Sequence, residues 1–459
     1  MLVGPGVSVT PARRAALTVL HRVRERGAFG PETLDAVLRA GGLSAQDTAL
    51  ATRLAYGALQ TQGTLDEALD RFLSGPGAVE PAVRDALRLA AYEILFARTP
   101  ARAAVNEGVE AVKSVRKQAA GLANAVLRRL AEQAGDFPWG DPATDDAALA
   151  RATGHPRWLV DHWIAELGRE RATVALCADL EPAPLYLWHN PFRGSIVEAL
   201  DALIEDGAEP ERDVPDGCVR AGRTQAAVRG RAVAEGRVLV TDAAAQIAPL
   251  ACGSHPGGVI VDIASGRGTK TAQLQALAVA GGGPASVFAL DVHPFKAEVL
   301  TRRMRDLGVP DVTPLVGDAT DLASVGRLPA AGTADAVLLD APCTGLGALR
   351  RHAEKRWRLT PEDPARLAVL QSAMLGQAAS LVRVGGLVVY STCTVSRVEN
   401  EDVVSSFLGV AGGAFETADL SAVIPEAWAA DIGVEGWFGS VPRAGGPDGH
   451  FVAALTRLK

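Results

Sequence analysis

Beyond Val238 short apolar runs recur, each followed by helical text: Val259-Ile260-Val261, Val287-Phe288-Ala289-Leu290, Ala336-Val337-Leu338-Leu339 and Leu387-Val388-Val389-Tyr390. Strands that are apolar throughout need cover on both faces, so the pattern predicts a doubly wound, largely parallel sheet of the α/β, Rossmann-like class. In such a sheet ligands sit beyond the carboxyl ends of the strands, and the residues that end each strand carry the chemistry.

Four strand ends in this half of the chain carry an aspartate: Asp262, Asp291 and Asp340 after three of these runs, and Asp318 after Pro314-Leu315-Val316. The first runs through Ala264-Ser265-Gly266-Arg267-Gly268-Thr269-Lys270 into a helix, whose opening backbone amides can hold an anionic carboxylate. The loop lacks the third glycine of a dinucleotide fingerprint and the glycine that precedes the lysine in a P-loop, which disfavours a dehydrogenase or a nucleotide hydrolase. Asp291 stands 23 residues after Gly268, near the spacing at which a carboxylate accepts from a ribose diol. Gly317-Asp318-Ala319 suits the exocyclic amine of an adenine. Singly, each is as readily an aspartate that caps a turn; in this order they point to an adenosyl nucleoside.

The chain has five cysteines, with no CxxC pair and no zinc spacing, so reduced thiols and no metal are expected. A lone cysteine is usually a small buried hydrophobe, but Cys343 and Cys393 end neighbouring strands. The segments Asp340-Ala341-Pro342-Cys343-Thr344-Gly345 and Ser391-Thr392-Cys393-Thr394, with Glu399-Asn400-Glu401 after them, resemble the paired cysteine motifs of the NOP/Sun RNA cytosine methyltransferases. The resemblance implies a class I domain using S-adenosylmethionine, with Ala264, Ser265, Gly266, Arg267, Gly268, Thr269 and Lys270 around the methionine part, Asp291 on the ribose, and Asp318 and Asp340 completing the site. It implies Cys393 as nucleophile and Cys343 as the thiol that helps to release product. Cytosine C5 is too weak a nucleophile to take a methyl group unaided, so a thiolate must first add at C6; Asp340 then suits the N3 and N4 face. The rival assignment, from DNA cytosine methyltransferases, makes Cys343 the attacker. The cofactor loop departs from the family's Cys-Ala-Ala-Pro-Gly-Gly-Lys, and Thr269 is expected to narrow the approach of the methionine moiety.

Upstream, apolar residues recur at helical spacing from Thr10 to about Ala134, broken at Gly41-Gly42, Gly75-Pro76-Gly77 and Thr99-Pro100. The expected organisation is a flexible N-terminus over 1–9, an all-α unit over 10–134, a linker over 135–149, a small α+β unit over 150–235 and the catalytic α/β domain over 236–459. Tyr56-Gly57, Ala104-Val105-Asn106-Glu107 and Leu122 to Arg128 resemble the NusB-type RNA-binding domain, and that fusion resembles the RsmB/Sun branch, the bacterial 16S ribosomal RNA cytosine methyltransferases. His155-Pro156-Arg157-Trp158-Leu159 and Leu187-Trp188-His189-Asn190 match the family's middle region, with His189 standing for the usual arginine, and His450 diverges in Asp448-Gly449-His450-Phe451.

The chain carries a net charge of -7, yet Ala12 to Ala134 holds 17 Lys/Arg against 13 Asp/Glu, a segment suited to face RNA. Arg350-Arg351-His352-Ala353-Glu354-Lys355-Arg356-Trp357-Arg358 has the composition for phosphate contact and base stacking. No apolar run is long enough to span a bilayer, and no signal peptide is evident, so a cytoplasmic, monomeric enzyme acting on small-subunit ribosomal RNA is expected, with no membrane partner. The alternative from another class is an RNA-binding antitermination or assembly factor with a degenerate methyltransferase half. The altered loop is its only support, against the joint presence of Lys270, Asp291, Asp318, Asp340, Cys343 and Cys393.

Overall fold

The computed structural model describes residues 9–459; of the expected N-terminal tail, 1–8 lie outside the described residues, and Val9 is buried. The chain divides into two compact units, residues 1–182 with 349–361, and residues 183–348 with 362–459.

The first unit is all-α. Its opening helices are α1 (Pro11–Arg26), α2 (Gly30–Gly41), α3 (Ala45–Gln60), α4 (Gln62–Asp70), α5 (Pro81–Leu95), α6 (Ala101–Val115) and α7 (Ala120–Glu132). Proline in the first turn starts α1, α2 and α5, where its missing N–H is not needed, and left-handed Gly27 and Gly42 end α1 and α2. The apolar faces meet in one core that includes Leu54, Leu59, Leu65, Leu87, Leu127 and Leu130. Gly108 lets α6 lie close to α5, since a Cβ there would stand 2.4 Å from the Cβ of Ala90. Part of the positive charge is turned inward: Arg13 grips buried Glu93 with bonds of 2.9 and 2.6 Å, and Arg24 and Arg88 both bond buried Asp85. Those cations hold the bundle together, so the surplus counted along the sequence overstates what faces solvent.

Helices α8 (Asp146–Thr153), α9 (Arg157–Leu167) and α10 (Arg169–Ala178) belong to the same unit. The expected α+β unit over 150–235 is therefore divided: its helices join the bundle, while its strands lie in the second unit. The basic segment at 350–358 also differs from expectation, because it packs into the bundle. Arg356 is fully buried and donates to Gly154 O, His155 Nε2 and Asp179 O, and burial pulls its guanidinium down to about 10. Trp357 donates to Gln60 O at 2.8 Å, its ring lying where Gly63 leaves room. Within this segment, Arg356 and Trp357 hold structure.

The second unit contains two sheets. β1 (Leu185–His189), β2 (Pro210–Asp213), β3 (Cys218–Ala221) and β4 (Val238–Val240) form an antiparallel sheet in the order β2-β3-β1-β4. The expected boundary at 235/236 cuts through this sheet, since β4 pairs with β1, and Tyr186 and Cys218 share a core with Ile247 and Ile260. The large sheet comprises β5 (Val259–Ile263), β6 (Ser286–Asp291), β7 (Val312–Val316), β8 (Ala334–Asp340), β9 (Val382–Thr392), β10 (Phe415–Thr417), β11 (Phe438–Gly439) and β12 (Phe451–Arg457). Its order is β10-β12-β9-β8-β5-β6-β7, with β11 beside β12. β9, β8, β5, β6 and β7 are parallel, and β12 runs antiparallel to β9. From β5 the chain builds outward to β6 and β7 and then returns to β8 and β9. The strand order thus reverses between β5 and β8, which places the ligand crevice at their carboxyl ends. Pro314 interrupts β7, as an edge strand permits.

Candidate active site at the paired cysteines

The loop after β5 has Ala264, Gly266 and Gly268 in the left-handed region, at φ +60, +59 and +81. It is tied back to β6: Ser265 N donates to Leu290 O at 3.0 Å, and Gly266 N to Asp291 Oδ2 at 3.1 Å. Gly268 is required on its outer side, where a Cβ would meet Met304 at 2.8 Å and Leu300 at 3.0 Å on the helix Pro294–Leu307. Around Gly266 such an atom would meet nothing nearer than Ala264 O at 3.9 Å, so the loop leaves an open cradle there. Two of the departures from the usual loop, Arg267 and Thr269, share one anchor that sequence reasoning missed: Arg303 donates to Arg267 O and to Thr269 Oγ1, both at 3.0 Å. The Thr269 hydroxyl is therefore engaged by that helix.

Asp291 is buried and accepts from Gly266 N, from His293 N at 3.0 Å and from Lys296 Nζ at 3.1 Å. Asp318 is exposed, and local bonds from Thr320 hold its carboxyl below the usual range. Val292, Phe295 and Val316 remain exposed beside these strand ends, apolar surface of the kind that the faces of an adenine require. Deeper, Asp262 is wholly buried under a 2.6 Å bond from Thr271, and burial pushes its carboxyl up to about 7.

Lys270, in the first turn of the helix Thr269–Ala280, reaches across the reversal point to Asp340 Oδ2 at 2.7 Å. Burial alone would lower its ammonium; the charges of Asp340, Cys393 and Asp262, with the bond to Asp340, more than offset this and hold it above its ordinary value. Cys393 directly follows β9, the neighbour of β8. β8 pairs with β9 through Asp340 and Ser391, and the loops that follow bring Cys343 Sγ and Cys393 Sγ to 3.4 Å, both unbridged thiols.

What holds the thiols together is Glu399, part of a quoted motif but given no role by the sequence. Fully buried, it accepts from Thr344 N at 2.8 Å, from Thr344 Oγ1, from Gln371 Nε2 at 3.0 Å and from Thr394 Oγ1 at 3.3 Å. Thr344 and Thr394 each follow a cysteine, so one carboxyl clamps both loops; burial raises it above the usual range against these bonds. Asn400 adds a second tie, accepting from Thr392 Oγ1 at 2.6 Å and donating to Thr394 O at 3.0 Å. His450 directly precedes β12, whose Phe451 pairs with Thr392, the residue before Cys393. Its imidazole is buried with both ring nitrogens lacking a hydrogen-bond partner, and burial, with Lys270 nearby, lowers it to about 4, so it is neutral at pH 7.

The structure thus unites Lys270, Asp340, Cys343 and Cys393, links Ser265 and Gly266 to β6 and Asp291, and leaves Asp318 apart at the end of β7. A helical unit followed by a seven-strand path with an antiparallel strand at β12 is the architecture of a Rossmann-like methyltransferase with an N-terminal extension. The protein PH0851 shares it over 98% of this chain and 100% of its own, with TM-score 0.79 and 23% identity. A model for 16S rRNA methyltransferase RsmB/F matches residues 250–456, and a NusB family model matches residues 10–132. The chain is 30% identical over 453 residues to the probable ribosomal RNA small subunit methyltransferase B of Bacillus subtilis, covering 98% of this chain and 99% of that one. It is 32% identical over 461 residues to ribosomal RNA small subunit methyltransferase B of Thermus thermophilus, covering 97% and 98%. The chain belongs to the RsmB/F family of 16S rRNA methyltransferases, enzymes dependent on S-adenosylmethionine, and carries the NusB-type helical unit. The open cradle at Gly266, the exposed apolar side chains and the aspartates at successive strand ends fit that cofactor. Among the described residues no helix is long and apolar enough to cross a membrane.

Proposed function

We propose that this chain methylates C5 of a cytosine in 16S ribosomal RNA, in the cytoplasm and as a monomer, through a covalent adduct between Cys393 and C6. The observation that carries the reading is the pair of thiols 3.4 Å apart at adjacent strand ends, one carboxyl clamping both loops and a lysine-aspartate pair beside them.

Lys270 supplies positive charge near Cys393, which favours its thiolate. The thiolate adds to C6 of the ring, and the electron pair of the C5–C6 double bond shifts so that C5 becomes nucleophilic. Asp340 hydrogen-bonds the N3 and N4 face and stabilises charge developing there. S-adenosylmethionine, when bound by Ala264 to Lys270, Asp291 and Asp318, supplies an electrophilic methyl group. Cys343, within reach of Cys393, serves the release by accepting the C5 proton as a thiolate: the C5–H pair restores the C5–C6 double bond, and the Cys393–C6 bond breaks with its pair returning to the Cys393 sulfur.

The test is substitution at each thiol with radiolabelled methyl transfer and gel detection of protein–RNA adducts. Cys393→Ala abolishes both methylation and adduct. Cys343→Ala leaves an adduct that accumulates. The reverse pattern makes Cys343 the nucleophile, and failure of calorimetry to detect S-adenosylmethionine binding at millimolar ligand favours an RNA-binding factor with an inactive second unit.

A further inference from the structure

The cysteines of the chain divide into two kinds. Cys218 and Cys252 are buried, and burial pushes Cys218 up to about 12 and Cys252 well above its ordinary value. Cys177 is exposed, yet partial desolvation, then the charge of Glu181, raises it as well. All three are held as thiols, the less reactive form. Cys343 and Cys393 are instead both half-exposed, their sulfurs stand 3.4 Å apart, and Lys270 places a positive charge near Cys393. An accessible thiolate with a second thiol in contact is the arrangement that reacts with a peroxide and then closes on itself.

A bridge requires the sulfurs at about 2.05 Å, a closing of about 1.4 Å from where they stand. Glu399 holds the backbone on both sides through Thr344 and Thr394, so that closing falls to the two side chains. We propose that Cys343 and Cys393 form a redox switch, in which a hydroperoxide joins them as a disulfide that stops methylation and a thiol reductant restores it. The loss of methylation rests on the reading of this pair as the reacting thiols; the bridge does not. The Cys393 thiolate attacks one oxygen of the peroxide: the S–O bond forms, the O–O bond breaks, and the departing oxygen leaves with the electron pair and takes up a proton. Sulfur is oxidised to a sulfenic acid and the peroxide is reduced. Cys343 then gives up its proton and attacks the Cys393 sulfur; the S–S bond forms, the S–O bond breaks, and the released hydroxide takes that proton as water. With hydrogen peroxide the products are one disulfide and two waters. The bridge ties up the electron pair that Cys393 adds to C6. It also protects that sulfur, because a sulfenic acid with no second thiol beside it passes to sulfinic acid, which thiol reductants do not reverse.

The experiment treats the full chain with hydrogen peroxide and reads a non-reduced peptide map by mass spectrometry together with methyl transfer before and after dithiothreitol. The peptide containing Cys343 is expected joined to the one containing Cys393, with methyl transfer down at least about tenfold and back to within about twofold after reduction. In Cys343→Ala the Cys393 peptide instead gains two oxygens that dithiothreitol does not remove, a readout that needs no activity. Loss of methyl transfer without the joined peptide overturns the proposal. So does a wild-type Cys393 that gains two oxygens as readily as in Cys343→Ala, or a joined chain that methylates at the reduced rate. Failure of the bridge in a chain whose reduced form methylates through a Cys393 adduct removes the switch and leaves the proposed reaction standing. A chain that bridges but is inert when fully reduced overturns the reaction, and the switch of it falls too.

Discussion

Replacing Glu399 tests whether the distance between the thiols is set by one carboxyl. In Glu399→Ala, Thr344 Oγ1 and Thr394 Oγ1 keep their mutual bond of 2.8 Å, and Gln371 Nε2 keeps Pro342 O at 3.0 Å. Left without an acceptor are the buried N–H of Thr344 and the hydroxyl proton of whichever threonine accepts in that mutual bond. The N–H alone costs about 1–3 kcal/mol, and the vacated volume adds to it. Relief of a buried carboxyl whose ionisation is disfavoured subtracts, leaving a net loss of about 2–4 kcal/mol. In Glu399→Gln one oxygen still accepts from Thr344 N and Gln371, and the amide donates to the two hydroxyls, which rotate to accept, so stability stays within about 1 kcal/mol. Catalysis separates the two variants further. Displacing a reacting group by about 1 Å costs on the order of 10²-fold, so Glu399→Ala loses about that much in single-turnover methylation, with S-adenosylmethionine affinity unchanged, while Glu399→Gln stays within several-fold of wild type. Urea unfolding, calorimetry and rapid-quench methyl transfer read the three quantities. An Ala variant that methylates within threefold of wild type refutes the clamp.

Arg303→Ala removes both bonds to the cofactor loop, each worth about 0.5–1.5 kcal/mol, and is expected to weaken S-adenosylmethionine binding about fivefold by calorimetry with kcat preserved; no change in Kd sinks the anchoring role. Gly63→Ala places a Cβ 2.1 Å from the Trp357 ring and lowers stability by about 1–3 kcal/mol; Trp357→Ala in the same chain recovers part of that, and additivity of the two losses contradicts the contact. Asp262 is held near 7 in the folded chain against about 3.9 when unfolded. Between those values the folded chain keeps a proton that the unfolded chain has released, so this group's contribution is complete below about pH 4 and is lost as pH rises through about 7. Asp262→Asn, compared with wild type across that window, makes stability fall less steeply with pH; parallel profiles exclude the shift.

The parallel strands were legible because β5, β6, β8 and β9 are apolar on both faces and end in chemistry-bearing residues. β12 was not read as a strand body, although Phe451-Val452-Ala453-Ala454-Leu455 is as apolar as its neighbours; its signal lies in pairing with β9, a contact between distant segments. The divided middle region was hidden for the same reason, since sequence proximity joined α9 and α10 to strands that pack elsewhere. At the site, the residues with intrinsic reactivity were visible in the sequence. Asp262 and Glu399 were quoted with the motifs but given no role, and Arg303 was not seen at all, because a buried carboxyl or a loop-bracing guanidinium gains meaning only from the partners that surround it.

Lys270 explains why the altered loop is compatible with an intact site. Its position depends on the start of the helix Thr269–Ala280 and on Asp340 across the strand reversal, and both are in place with Arg267 and Thr269 in the loop before it. The substitutions act on the outer side of the loop, where Arg303 takes up the carbonyl of Arg267 and the hydroxyl of Thr269. Proline would stiffen the loop by restricting φ; here two hydrogen bonds from a neighbouring helix supply the restraint. The loop's rigidity therefore depends on a tertiary contact, and a chain with Arg267→Pro and Thr269→Gly should bind S-adenosylmethionine with an affinity that responds less to Arg303→Ala, because the hydroxyl is gone, proline already restricts φ and only the carbonyl of residue 267 is left to accept. If the response is undiminished, Arg303 acts through something other than the loop.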